Sequence, residues 1–278
     1  NVSCVCSCSI RLLAVQDLLD REALEKFCVE LNQGTLSSVR RWKWARGLWK
    51  SCVSDKPTGH SNERASYSGF LWDSSSGIDL KDAAFLTPPV VNGNGNHSSP
   101  RFYLAHFSVG SHELTVVNVH MQPAAEPHGK SASPDKTARQ HLGRSIQETL
   151  KGEKELVVLG DFGSSPQSSD LDILRKEKFC ALVPSTQFTN ISTRSPQGTC
   201  CLDNIWLSRS LRKVYSGHCT VVREGLTNPW IPDNWSWGGV PSDHCPVVAE
   251  LFADIACKDF SRPGTVAVDR DILPKHER

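Results

Sequence analysis

The chain has 278 residues, with 31 basic against 30 acidic side chains, so its formal net charge of +1 sets up no field that would select a partner by itself. A hydrophobic fraction of 38% against 22% charged residues, with 8 Trp and 10 Phe, is that of a chain with one large buried core and excludes a disordered or coiled-coil protein. No apolar run approaches the roughly 18 to 20 residues that a bilayer span needs, and the N-terminal residues lack the basic flank and small-residue cleavage site of a signal peptide.

Residues 1–9 form an atypical segment in which Cys4, Cys6 and Cys8 alternate, a spacing that matches no usual zinc pattern. Position 1 is Asn rather than Met, and the expectation is that the chain starts inside a larger protein. The pattern that follows predicts a buried strand over 11–15 and a helix over 18–31, with Leu24, Phe27, Cys28 and Leu31 on one face. Short β-type runs at 47–54, 65–73 and 78–85 come next, the last two joined by turn residues at 74–77. Residues 87–100 and 122–136, rich in Pro, Gly, Asn and Ser, read as surface loops around a hairpin of 102–109 and 113–121 that turns at Gly110. Ala138, Leu142, Ile146 and Leu150 recur every four residues as a helical stripe. A buried strand at 156–159, a helix at 170–179 and strands at 203–207, 214–222 and 246–252 complete a single domain, 10–253. The charged tail 254–278 is expected to be disordered. Strands outnumber helices and hairpins imply antiparallel pairing, which predicts a layered α+β sandwich.

The 11 cysteines include an odd one that an oxidising compartment would leave unpaired, which predicts a reduced, intracellular setting. The Asn-x-Ser triplets at Asn1, Asn96, Asn190 and Asn234 matter only in a secreted chain, the alternative setting.

Acidic and His residues recur at the ends of predicted strands. Asp17 follows Ala14-Val15-Gln16, His120 ends Val116-Val117-Asn118-Val119-His120, and Asp161 lies in Val158-Leu159-Gly160-Asp161-Phe162-Gly163. Asp203 opens Asp203-Asn204-Ile205-Trp206-Leu207, and Asp243 with His244 precedes Cys245-Pro246-Val247. Polar residues punctuate strands in any protein, but a series of this kind predicts convergence on one edge of a sandwich.

Together these segments resemble the endonuclease/exonuclease/phosphatase superfamily, the fold of DNase I. Ser242-Asp243-His244-Cys245-Pro246 is similar to its terminal Ser-Asp-His-x-Pro signature. Gly160-Asp161-Phe162-Gly163-Ser164-Ser165-Pro166 is similar to its Gly-Asp-Phe-Asn-Ser-x-Pro segment, and Gln16-Asp17 to its Gln-Glu pair. The resemblance implies a four-layered α/β/β/α sandwich and metal-assisted phosphodiester hydrolysis, with DNA as the partner. It places Asp17 and Asp243 at Mg²⁺ or Mn²⁺, Asp161 at the attacking water, His244 on the phosphate with Asp203 fixing its ring, and His120 near the leaving group. An ordinary structural ion pair is the alternative reading of Asp203 and His244.

Three departures stand out. Gly163 replaces the family's Asn, Asp17 is shorter than its Glu, and residues 1–9 lack the Trp-Asn pair of its opening strand, so that strand is expected to be missing. An inactive binding module is therefore an alternative, and a phosphatase or deadenylase is another. Residues 40–50 place five cations among three indoles, and Arg41, Lys43 and Arg46 are candidates for phosphate contact. Trp235 and Trp237, just before the terminal motif, are candidates to wall the site. The resemblance further implies upstream helix-hairpin-helix modules, work in DNA repair or at stalled replication forks, and a nuclear location. The inner face of the plasma membrane, reached through an upstream lipid anchor, is the alternative.

Overall fold

A computed structural model of the chain describes residues 9–33, 47–61, 64–86, 102–121, 142–148, 150–192, 195, 197–223 and 242–253. The expected tail, the loops at 87–100 and 122–136, and the candidates Arg41, Lys43, Arg46, Trp235 and Trp237 lie outside these residues.

Strand β1 (Leu12–Leu18) leads into helix α1 (Arg21–Asn32), then β2 (Trp49–Val53), β3 (Gly59–Ser61) and β4 (Arg64–Asp73). These strands form the first sheet in the order β1-β4-β2, with β3 on β4. Strands β5 (Ile78–Leu86), β6 (Phe102–Val109), β7 (His112–His120), β8 (Leu156–Asp161), β9 (Cys180–Ala181) and β10 (Asp203–Leu207) form the second, in the order β5-β6-β7-β8-β10-β9. All its pairs are antiparallel except β7 with β8, and between those two strands lies helix α2 (142–148), as a parallel connection requires. Helix α3 (Asp172–Lys176) follows β8, and β11 (Tyr215–Val221) pairs with β12 (Val247–Leu251).

Alternation along the strands builds the layers. Phe70 and Trp72 of β4 point between the sheets, where they meet Tyr103, Phe107 and Val116, while Leu71 points outward to Leu24, Cys28 and Leu31 of α1. On the far side, Val117, Val119, Val158 and Trp206 pack on Leu142 and Ile146 of α2 and on Leu174 of α3. The result is helix, sheet, sheet, helix, in agreement with the sandwich expected. Gly69 is required where α1 crosses the first sheet, since a Cβ there would stand 2.5 Å from Leu24 Cδ2.

Boundaries differ from the sequence pattern for identifiable reasons. Leu18 belongs to β1, because Asp20 caps α1 by accepting the Glu22 N–H at 2.9 Å. The helix expected over 170–179 ends at Lys176. Lys178 turns left-handed at φ 64, and the Phe179 N–H returns to the Leu174 carbonyl.

Candidate active site

One edge of the second sheet gathers the chemistry. His120 closes β7 opposite Asp161, the last residue of β8, and Asp161 pairs across to Asp203, the first of β10. The three side chains are therefore aligned by backbone register. His244 arrives from the other end of the chain, where its backbone bridges Asn190. Its Nδ1 lies 2.8 and 3.0 Å from the two oxygens of Asp203, and its Nε2 lies 3.9 Å from Asp161 Oδ2.

Asp161 is 7% exposed, and its Oδ1 accepts the Gly163 N–H at 2.7 Å. Burial, followed by the negative charge of Asp203, pushes its carboxyl up to about 7, against the opposing pull of His244 and the Gly163 N–H. For His244, burial works against the charged ring. The hydrogen bond and charge of Asp203, with the charges of Asp161 and Asp243, outweigh it and raise the imidazole to about 9. One ligand atom from each of Asp161, Asp203 and His244 lies within 4.8 Å of the others, a set that could hold a metal ion.

Asp17 is not one of that set. It is exposed, at φ 55, inside an irregularity of β1 between Val15 and Leu18. Bulges next to active sites commonly re-aim one side chain, and Asp is among the few residues that tolerate this conformation. Asp243 is half-buried, close enough to act electrostatically on both Asp161 and His244. His120 is half-buried, its Nδ1 3.7 Å from where a Cβ on Gly59 would lie. Trp49, from the basic and indole-rich segment, is buried against α1 and is not free to stack on a base.

The sequence reading passed over Thr189. Fully buried, it accepts the N–H groups of Leu202 and Asp203 on Oγ1, at 2.9 and 3.0 Å, and its carbonyl accepts the Cys245 N–H at 2.7 Å. One residue thus ties the Asp203 strand to the His244 loop. Thr189→Val keeps the shape and orphans two donors, so a loss of about 1–3 kcal/mol for each is expected in denaturant unfolding, with Thr189→Ser close to wild type. No local signal marks Thr189, since its partners are backbone groups distant in sequence.

Two cysteines near the Asp203–His244 pair are held in the protonated, weakly nucleophilic form. Burial first, then the charge of Asp203, pushes Cys201 up to about 11, and burial does the same for Cys219. The side chain of Asn190, one of the Asn-x-Ser positions, is occupied: Oδ1 accepts from the Thr199 and Cys200 N–H groups at 2.7 and 2.8 Å.

A layered sandwich with two carboxylates and an imidazole converging on one sheet edge suits phosphoester chemistry, and comparison with known proteins agrees. Residues 45–244 match the Endonuclease/Exonuclease/phosphatase family, and the chain belongs to that family. It is 60% identical over 273 residues to endonuclease/exonuclease/phosphatase family domain-containing protein 1 of Danio rerio, covering 97% of this chain and 50% of that protein. The Homo sapiens protein of the same name is 54% identical over 277 residues, covering 97% and 49%. The chain therefore spans about half the length of these curated relatives. Among solved structures it is similar to the 3' phosphatase NExo from Neisseria bound to product DNA hairpin, with a TM-score of 0.58 and 16% identity over 87% of this chain and 89% of that one. At that identity the likeness speaks for the fold.

Proposed function

We propose that this chain is a phosphodiester hydrolase that uses Mg²⁺ or Mn²⁺ and acts on DNA as an endo- or exonuclease. The observation that carries the reading is the buried Asp161 facing a His244 already held by Asp203. Hard carboxylate oxygens gathered at one edge fit a divalent ion, and Asp17 with Asp243 would hold it beside Asp161. The ion would offset charge on the scissile phosphate and the departing alkoxide. Asp161, raised to about 7, is poised to take a proton from water near neutral pH. Asp203 fixes the ring of His244 and keeps it cationic, so that Nε2 can donate to a phosphate oxygen. His120, in register with Asp161, would stand by the leaving group.

DNA as substrate is supported by the family and by a fold neighbour solved with a DNA hairpin. Phosphate contact by Arg41, Lys43 and Arg46, walls from Trp235 and Trp237, upstream helix-hairpin-helix modules, fork repair and a nuclear location extend the same proposal. Among the described residues no helix is long and apolar enough to cross a membrane.

The test is to incubate the chain with labelled single- and double-stranded DNA, RNA and small phosphoesters, with and without Mg²⁺ or Mn²⁺. Metal-dependent DNA cleavage lost in His244→Ala supports the reading, and cleavage that survives in that variant removes the site. Turnover of small phosphoesters alone would make the chain a phosphatase. Binding without turnover would make it the inactive module that Gly163 and the shorter Asp17 allow.

A pH dependence follows. In the metal-free protein the stability His244 contributes is complete below its ordinary 6.5 and is lost as pH rises through about 9. Asp161, ordinarily 3.8, subtracts stability progressively as pH climbs to about 7. The metal-free thermal midpoint is therefore expected to fall from mildly acid to alkaline pH. Mn²⁺ affinity is expected to rise over the same range, as Asp161 gives up its proton. Thermal melts of the metal-free protein read the first, and calorimetric Mn²⁺ titration the second, each at pH values on either side of 7.

A further inference from the structure

The gap between the sheets is lined by Phe70, Trp72, Tyr103, Phe107 and Val116, an apolar layer that ordinarily admits no unpaired amide. Asn118 of β7 is placed in it, 1% exposed, on the same face of the strand as Val116 and His120. Among the described residues, every hydrogen bond its side-chain amide makes is to the opposite sheet. Its Nδ2 donates to the carbonyls of Val15 and Gly69 at 3.1 and 3.2 Å, and its Oδ1 accepts from Gln16 Nε2 at 2.6 Å.

The place of these contacts is informative. Val15 and Gly69 are the last regular pair of β1 and β4 before the irregularity that contains Asp17, and Gln16 lies within it. On the other side, Asn118 pairs with Leu159 of β8, two residues before His120 meets Asp161. A single amide thus joins the backbone beside Asp17 to the strand that presents His120, itself in register with Asp161.

We propose that Asn118 and Gln16 form a clamp between the sheets that sets Asp17 at the distance from Asp161 at which a divalent ion held by Asp17 stands beside the Asp161 base. The inference rests on the metal-dependent reading above. Gln16 and Asn118 are positioning residues: they touch neither ion nor substrate and act through the β1 bulge. A bulge held only by β4 would leave the Asp17 carboxylate free to swing in solvent, whereas the Gln16 bond pins the residue before it.

The test is Mn²⁺ binding, followed by electron paramagnetic resonance of the free ion, on the 278-residue chain and its variants. Gln16→Met keeps the side-chain length and leaves Asn118 its two carbonyl partners, so folding should survive. It is expected to weaken Mn²⁺ binding by about 10- to 100-fold, the usual effect of losing a group that orients a ligand. Asn118→Ala should weaken it at least as much. Asn32→Leu is the control for stability alone, since it removes the side chain that bonds the Trp49 backbone under α1, and it should lower the thermal midpoint with Mn²⁺ affinity unchanged. Wild-type affinity in a folded Gln16→Met overturns the clamp and leaves the metal reading standing. Weakening in Gln16→Met with none in Asp17→Asn overturns the route through Asp17. A wild-type chain that binds no Mn²⁺ overturns the metal reading and the clamp together.

Discussion

Asp161→Asn is expected to lower DNA hydrolysis by about 10²- to 10⁴-fold, the range for loss of a general base, and at the same time to raise the thermal midpoint of the metal-free protein at alkaline pH. The two effects share one cause. Asp161 is buried beside Asp203, and its charge is opposed both by the lost hydration and by that neighbour. An amide of the same shape still accepts the Gly163 N–H on Oδ1 and carries no charge, so the penalty disappears while the proton acceptor is lost. Single-turnover cleavage and a thermal melt above pH 7, past the Asp161 titration, measure both. A variant that loses activity and also stability would mean that the carboxylate is a structural acceptor, with its charge supported in place.

Gly163→Asn is expected to act in the opposite direction and raise the turnover number, by up to about 10²- to 10³-fold if the restored amide reaches the phosphate as a preorganised donor. The backbone is suited to the exchange. Gly163 stands at φ 57, in the left-handed region where Asn is among the better tolerated residues, and its N–H already anchors Asp161. The turn is therefore one that Asn, the residue of the motif this segment resembles, can occupy without a change of backbone. Turnover at saturating DNA and metal is the measurement. A folded Gly163→Asn that runs no faster would show that the missing amide is not what limits this chain.

Much of the architecture was legible because alternation is a local property. Val116 and Val117 announce opposite faces by adjacency, and they pack on different layers. The polar residues that end these runs, His120, Asp161 and Asp203, mark the sheet edge for the same reason, and register then brings them side by side. Long-range pairing leaves no such trace. Nothing around Thr189 says that it accepts from Leu202 and Asp203, and Asn118 reads as a break in an apolar strand until Val15 and Gly69 are seen opposite it. Gln16 and Asp17 were visible as a pair resembling a motif. Their division of labour, one turned inward to Asn118 and the other outward at positive φ, belongs to the bulge. The short α3 illustrates a third limit, since periodicity runs on past a left-handed Lys178 that no residue type announces.

The candidate site is assembled in two ways: strand register sets Asp161 beside Asp203, whereas His244 is held by contacts of its own loop with Thr189 and Asn190. Under the proposed function, a chain cut before residue 242 would therefore keep both carboxylates and lack the cation, so proteolytic trimming at that end would silence the site without touching its sheet.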